Sequence, residues 1–322
     1  MKNARLIVPR KVLFGIFGYG VIIILLWVGI QNSNLYFGTA KVPLDGGTTT
    51  QINTVQAAIL GAIQGLTEFL PISSSGHLVL FQQFFGIHEA QLFFDICLHM
   101  GTLIAVIVFF RREIFFLAAS AIRFLFLCLE REITLKKVND DGDMKLALLI
   151  VVGSLPTVVL GLVIKEWVDQ IFSSVFLVGW MLLVTGFLLW ATRWLEREGR
   201  GISGFSIPMA LLIGFVQGMA ILPGISRSGS TIAVALFLGL NRHTAAQYSF
   251  LLSIPAIVGA LLLSIWDLSI TATFTLPVLI GSATACLIGY LALRFLIYMV
   301  NKGRMHLFAP YCWLLGATAL LV

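Results

Sequence analysis

The sequence predicts an all-α polytopic membrane protein: an inverted-topology repeat with two re-entrant helical hairpins, about six core spans and one extra N-terminal span. Three observations carry that expectation: an apolar composition, a one-sided distribution of basic residues, and two similar broken apolar segments. Of 322 residues, 59% are hydrophobic and 11% charged, against roughly a quarter charged in soluble domains. So little polar surface cannot cover a soluble chain of this length, which excludes a soluble globular enzyme. The net charge of +6 does not point to nucleic acid, because the basic residues sit between apolar runs. Cys97, Cys128, Cys286 and Cys312 lie in apolar stretches without metal-ligand spacing and read as small core hydrophobes.

Crossing a bilayer as a helix takes roughly 20 apolar residues. Runs near 12–30, 92–110, 145–164, 173–192, 245–265, 273–297 and 306–322 meet that length. Two further apolar stretches, 54–87 and 206–240, contain a proline followed by a serine cluster near their middle and do not read as simple spans. The segment 114–129 is apolar but framed by Arg112 and Arg131, so it fits either an in-plane cytoplasmic helix or a continuation of the preceding span.

Lys and Arg collect on the cytoplasmic side of membrane proteins. One orientation places 18 of the 21 basic residues inside, leaving Lys41 and Lys165 outside and Arg227 within a broken segment. It works only if each broken segment enters and leaves on the same face, the first dipping from outside and the second from inside. The N-terminus is then cytoplasmic. Lys2, Arg5, Arg10 and Lys11 before an apolar run also outline a signal peptide, but that run is longer than a usual signal core and the small-residue site at Ala40 lies far beyond it.

The broken segments resemble each other. A shift of 153 residues maps Gly61 to Gly214, Gln64 to Gln217, Gly65 to Gly218, Ser73 to Ser226, Ser75 to Ser228 and Gly76 to Gly229, while Pro71 and Pro223 slip by one. The expected units are 1–52, the extra span with an external linker; 53–200, a hairpin plus three spans; and 201–322, the second copy. Three spans per copy is an odd number, so the second copy must be inverted, as the charges require independently. Inverted repeats place a shared site near the midplane, where broken helices expose backbone groups.

The breaks hold the chemistry. Gln64 and Glu68 share a helix face at i, i+4, followed by Ser73, Ser74, Ser75 and His77; the second break holds Ser226, Arg227, Ser228, Ser230 and Thr231. Proline followed by serines stops one helix and starts another, so both second halves offer N-termini that suit phosphate. Arg227 can grip phosphate with its fork. Glu68 can hold a divalent cation such as Mg²⁺ or act as a base. Ser74 with His77 is the minimum nucleophile and base pair. Gln64, Ser73, Ser75, Ser226, Ser228 and Thr231 are the candidate substrate-binding residues, and Asp95 with His99 forms a further i, i+4 polar pair. A structural account stands beside each: serines as N-caps, glutamines bonded to broken backbone, Glu68 and Arg227 as an ion pair. Charge at membrane depth costs roughly 2.5–3.5 kcal/mol on insertion scales, which favours function for Glu68 and Arg227.

The stretches Q-G-L-T-E-F-L-P-I-S-S-S-G-H (Gln64 to His77) and P-G-I-S-R-S-G-S-T (Pro223 to Thr231) resemble the two signature regions of the undecaprenyl-diphosphatase, or bacitracin-resistance, family over roughly residues 53–322. The resemblance implies removal of one phosphate from undecaprenyl diphosphate, which regenerates the carrier lipid of cell-wall synthesis at the bacterial cell membrane. It further implies a site facing outside, a divalent cation (Mg²⁺ or Ca²⁺), and functional residues at Glu68, Ser74, His77 and Arg227. Two departures stand out: Gln64 replaces a frequent glutamate, and the first span has no counterpart in the common form. The rival class is a transporter, a flippase of polyprenyl phosphate on the same scaffold, which needs the arginine and helix ends but no nucleophile. The sequence leaves a homo-oligomer open.

Overall fold

The computed structural model describes residues 52–85, 92–130, 134–164, 167, 171, 174–195, 198–267 and 275–321. The expected span at 12–30, the signal-peptide alternative, and Lys41 and Lys165 lie outside the described residues. Helix α1 (Thr54–Phe69) starts from a reciprocal cap: the Asn53 side chain accepts from the Val55 and Gln56 N–H groups, and the Gln56 side chain accepts from the Asn53 N–H. It stops at Leu70, which is extended (ψ 142°) because the residue before a proline is pushed out of the helical region. After the break, α2 covers Ser74–Phe84. Then come α3 (Leu92–Phe109), α4 (Arg111–Leu129), the short α5 (Leu135–Asp140), α6 (Gly142–Ile164) and α7 (Val175–Ala191). The later part of the chain forms α8 (Ile207–Met219), α9 (Arg227–Phe237), α10 (Arg242–Asp267), α11 (Leu276–Asn301) and α12 (Ala309–Leu321).

Among the described residues four helices are long and apolar enough to cross a membrane, Gly142–Ile164, Val175–Trp194, Arg242–Leu263 and Leu276–Asn301, or five if the bent α3–α4 pair is one span. The protein is an all-helical polytopic membrane protein. The last expected span, 306–322, corresponds to a shorter apolar helix, Met305–Leu321. The choice left open for 114–129 falls against a straight continuation, because α3 and α4 meet at 81°. No residue of α4 is buried, and Phe115, Leu125 and Leu129 are exposed, an outward apolar side that suits lipid.

Two close helix crossings organise the interior. Helix α1 packs along α11, and a Cβ at Gly61 would overlap the Gly281 carbonyl; α8 packs along α6, and a Cβ at Gly214 would overlap the Gly153 carbonyl. In turn a Cβ at Gly281 would meet the Ala57 carbonyl at 3.1 Å, and one at Gly153 the Ala210 carbonyl at 3.1 Å. Small residues let backbones approach this closely where lipid offers helices no hydrophobic drive to associate. Further packing joins α3 to α11, α10 to α6, and α7 to α12. Phe69 and Phe250 meet edge to face at 6.0 Å beneath the first break, so an apolar floor lies under the polar residues.

Candidate active site

The two breaks meet. Ser73, at the first, is the non-glycine residue with positive φ among the described residues (70°), and its hydroxyl accepts the Gly224 N–H at 3.0 Å. Gly224, at the second, has φ 94°, a conformation that suits a residue without Cβ. In return the Ser228 hydroxyl donates to the Phe69 carbonyl at 2.9 Å, satisfying the last turn of α1. Ser226 caps α9 by accepting the Gly229 N–H at 3.2 Å. Within each break the same two serines lie 3.3 Å apart, Ser73 with Ser75 and Ser226 with Ser228. Helices α7 and α12 brace the pair: Thr185 Oγ1 donates to the Gly224 carbonyl at 2.9 Å, and Cys312 Sγ lies 3.4 Å from the Pro71 carbonyl.

Glu68 is the hub. Its Oε1 pairs with Arg227 Nη2, and its Oε2 accepts from Ser74 Oγ at 2.7 Å and from Gln64 Nε2 at 3.0 Å. His99 Nε2 stands 3.8 Å from the same Oε2, and its Nδ1 donates to the Asp95 carbonyl at 2.8 Å. The Glu68 side chain is 8% exposed and that of Arg227 16%, so each charge needs the other to offset its desolvation. Charge-assisted donors from three elements hold one carboxylate in one orientation. Six buried side-chain atoms have no hydrogen-bond partner among the described residues; four are on Gln217, Ser230, His306 and Trp313, and the other two, Arg227 Nη1 and Gln64 Oε1, belong to the groups bonded to Glu68. One is a cationic donor and the other a neutral acceptor, which is the complement of a bound anion and its counter-cation.

The expected pair of Ser74 with His77 is arranged differently. Ser74 donates to Glu68, while His77 Nδ1 donates to the Ser73 carbonyl at 2.7 Å and His77 Nε2 meets the Tyr311 hydroxyl. Of the expected substrate-binding residues, Gln64 lies beside Glu68. Ser73, Ser226 and Ser228 join the breaks or cap a helix. Thr231 bonds the Arg227 carbonyl at 2.7 Å and Ser249, inside the protein. Gln217, the counterpart of Gln64, donates to Thr157 Oγ1 at 3.2 Å and to the Leu252 carbonyl at 3.3 Å.

The chain matches the family described as Bacitracin resistance protein BacA over residues 57–318. It belongs to that family. The resemblance read from the two motifs is borne out, and curated relatives extend it. An undecaprenyl-diphosphatase of Desulfosudis oleivorans is 56% identical over 269 residues, which is 83% of this chain and 98% of the relative. One of Desulforapulum autotrophicum is 50% identical over 83% of this chain and 97% of its own length, and one of Halothermothrix orenii 43% identical over 82% and 95%.

In this member of the BacA family, no cluster of three or more His, Cys, Asp or Glu side chains suited to a metal occurs among the described residues. A hard divalent cation needs less: Mg²⁺ is commonly held by one or two protein oxygens plus substrate phosphates. The unpartnered Gln64 Oε1 beside Glu68 fits that chemistry. Sequence reasoning missed Tyr311 and Thr185. Neither lies in a motif, and Tyr311 is 234 residues from the histidine it contacts; only the packing of α12 and α7 on the breaks reveals them.

Proposed function

We propose that the chain hydrolyses undecaprenyl diphosphate to undecaprenyl phosphate and inorganic phosphate, recycling the lipid carrier of peptidoglycan synthesis. The single observation that carries this reading is the shared carboxylate: Glu68 accepts from the hydroxyl of one break and the guanidinium of the other. The shared name of the relatives favours the phosphatase over the transporter.

The lipid tail lies between helices while its diphosphate enters between the breaks. Arg227 uses its free Nη1 and the N-terminus of α9 to hold the phosphate, neutralising charge where it develops. Ser74 Oγ attacks the terminal phosphorus as its proton passes to Glu68 Oε2, and the bond to the bridging oxygen breaks to release undecaprenyl phosphate. Water then attacks the phosphoserine, giving up its proton to His77 Nε2, and inorganic phosphate leaves with Ser74 restored. Glu68 and Gln64 would hold a divalent cation, Mg²⁺ or Ca²⁺, which would screen the phosphate charge.

The architecture we infer is the inverted repeat, 53–200 and 201–322 after an N-terminal span. The matched crossings of α1 on α11 and α8 on α6 support it, each pairing a helix before a break with a span of the other half. So does the recurrence of Ser73–Ser75 and Ser226–Ser228 contacts at a shift of 153 residues. The basic residues favour a cytoplasmic N-terminus and a site open to the outside of the bacterial inner membrane.

The test is phosphate release from undecaprenyl diphosphate by purified protein in detergent, where transport has no meaning, with Mg²⁺ and with chelator. Metal-dependent release is expected. Folded protein that releases none overturns the reading.

A further inference from the structure

His77 is the basic residue of the site whose surroundings the two motifs do not explain. Its ring is 5% exposed, so both nitrogens must find partners within the protein. The Ser73 carbonyl can only accept, so Nδ1 must carry the proton in that 2.7 Å bond. In the neutral ring the lone pair is therefore on Nε2, where it receives the Tyr311 O–H. The two rings also stack, with centroids 5.7 Å apart and planes 10° from parallel. The anchor is itself unusual: the accepting carbonyl belongs to Ser73, held at φ 70° by the Gly224 N–H that its hydroxyl accepts. Tyr311 enters from α12, which touches the same break again through the adjacent Cys312 and the Pro71 carbonyl. Tyr311 is 44% exposed, so its hydroxyl bond to a buried histidine is not something burial of its own ring would enforce.

We propose that Tyr311 is a positioning residue of the site: the Ser73 carbonyl sets the Nδ1–H tautomer of His77, and the Tyr311 hydroxyl fixes the ring's orientation by donating to the Nε2 lone pair that serves as proton acceptor. The inference rests on the function proposed above. A histidine whose second nitrogen is fixed by a neighbour keeps one tautomer and one ring orientation, which is what a general base needs. When water clears the phosphoserine, Nε2 takes its proton, and the Tyr311 oxygen, no longer donating to Nε2, accepts from the new Nε2–H.

The experiment is a double-mutant cycle on turnover of undecaprenyl diphosphate in detergent. Tyr311→Phe keeps the stacked ring and removes the hydroxyl; kcat is expected to fall roughly 10–100-fold, within the range of acid–base contributions, with KM changed less than about twofold. In a His77→Ala background the same substitution should have no further effect. Thr318→Ala, further along α12 where the hydroxyl donates to the Leu315 carbonyl, should leave kcat unchanged. A Tyr311→Phe enzyme within about twofold of wild type, or losses that multiply in the double variant, overturns the proposal. A second readout needs no turnover: ¹⁵N shifts of the His77 ring, assigned by loss of its signal in His77→Asn, report the tautomer. Both proteins should show Nδ1–H, with the Nε2 shift moved in Tyr311→Phe by loss of the hydroxyl's hydrogen bond; an unmoved Nε2 shift overturns the proposal. A Tyr311→Phe variant that moves the Nε2 shift as expected, beside wild-type protein that releases no phosphate, refutes the reaction and leaves the positioning intact.

Discussion

The first break, around Pro71, and the second, around Pro223, start from the same local pattern and end with different tasks. Both carry a proline between the end of one helix and the start of the next, start that next helix near a serine, and place that serine's hydroxyl 3.3 Å from the serine two residues on. Both lean on the other half through a glycine crossing. At the shift of 153 residues, however, Glu68 corresponds to Ile221, Ser74 to Arg227 and His77 to Ser230. The first break thus keeps the carboxylate, hydroxyl and imidazole, and the second contributes one guanidinium. The glutamines diverge in the same way. Both have an unpartnered buried Oε1, but the Gln64 amide N–H meets the Glu68 carboxylate, whereas that of Gln217 meets Thr157 and a backbone carbonyl. One reactive set suffices, and the break that lacks it uses its polar atoms to satisfy backbone, as Ser228 does for the Phe69 carbonyl.

The largest effect should come from the Glu68–Arg227 pair. Glu68→Ala or Arg227→Ala should lower phosphate release by about 10³-fold or more, with protein still folded in detergent by thermal unfolding; wild-type turnover in either would remove the pair from the mechanism. Exchanging both should regain part of the stability that each single change loses by stranding a charge, without regaining turnover.

The same substitution in the two glutamines should give opposite results. Gln217→Glu replaces a donor to the Leu252 carbonyl with a buried carboxylate and should destabilise by about 3 kcal/mol, read from the unfolding midpoint. Gln64→Glu adds an oxygen ligand beside Glu68 and should lower the Mg²⁺ concentration for half-maximal rate several-fold; a raised requirement would count against a cation at this place.

The crossings should respond alike. Gly61→Ala and Gly214→Ala each push a methyl into a carbonyl and should cost about 1–3 kcal/mol, with the two losses similar in size if the copies are equivalent scaffolds. Smallest is the cap: Ser226→Ala should lose about 1 kcal/mol and leave the half-saturating Mg²⁺ concentration where it was, in contrast to Gln64→Glu.

Much of this protein was legible without coordinates. The shortage of charge required a membrane, since no arrangement of 11% charged residues covers a soluble chain of 322. The prolines and serines marked both breaks, because a proline and a capping hydroxyl act on their own neighbours within a turn. Glu68 and Arg227 stood out because unpaired charge at that depth is too costly to keep idle. What only the tertiary structure decided is who meets whom. Ser74 donates to Glu68 rather than to His77, although both partners lie within a few residues of it. His77 finds Tyr311 from the far end of the chain. The apolar run after residue 110 turns by 81° instead of continuing. Helix ends and apolar lengths follow from local sterics and composition, whereas hydrogen-bond partners are set by where packed helices bring donors and acceptors within 3 Å, and that depends on contacts across the whole chain.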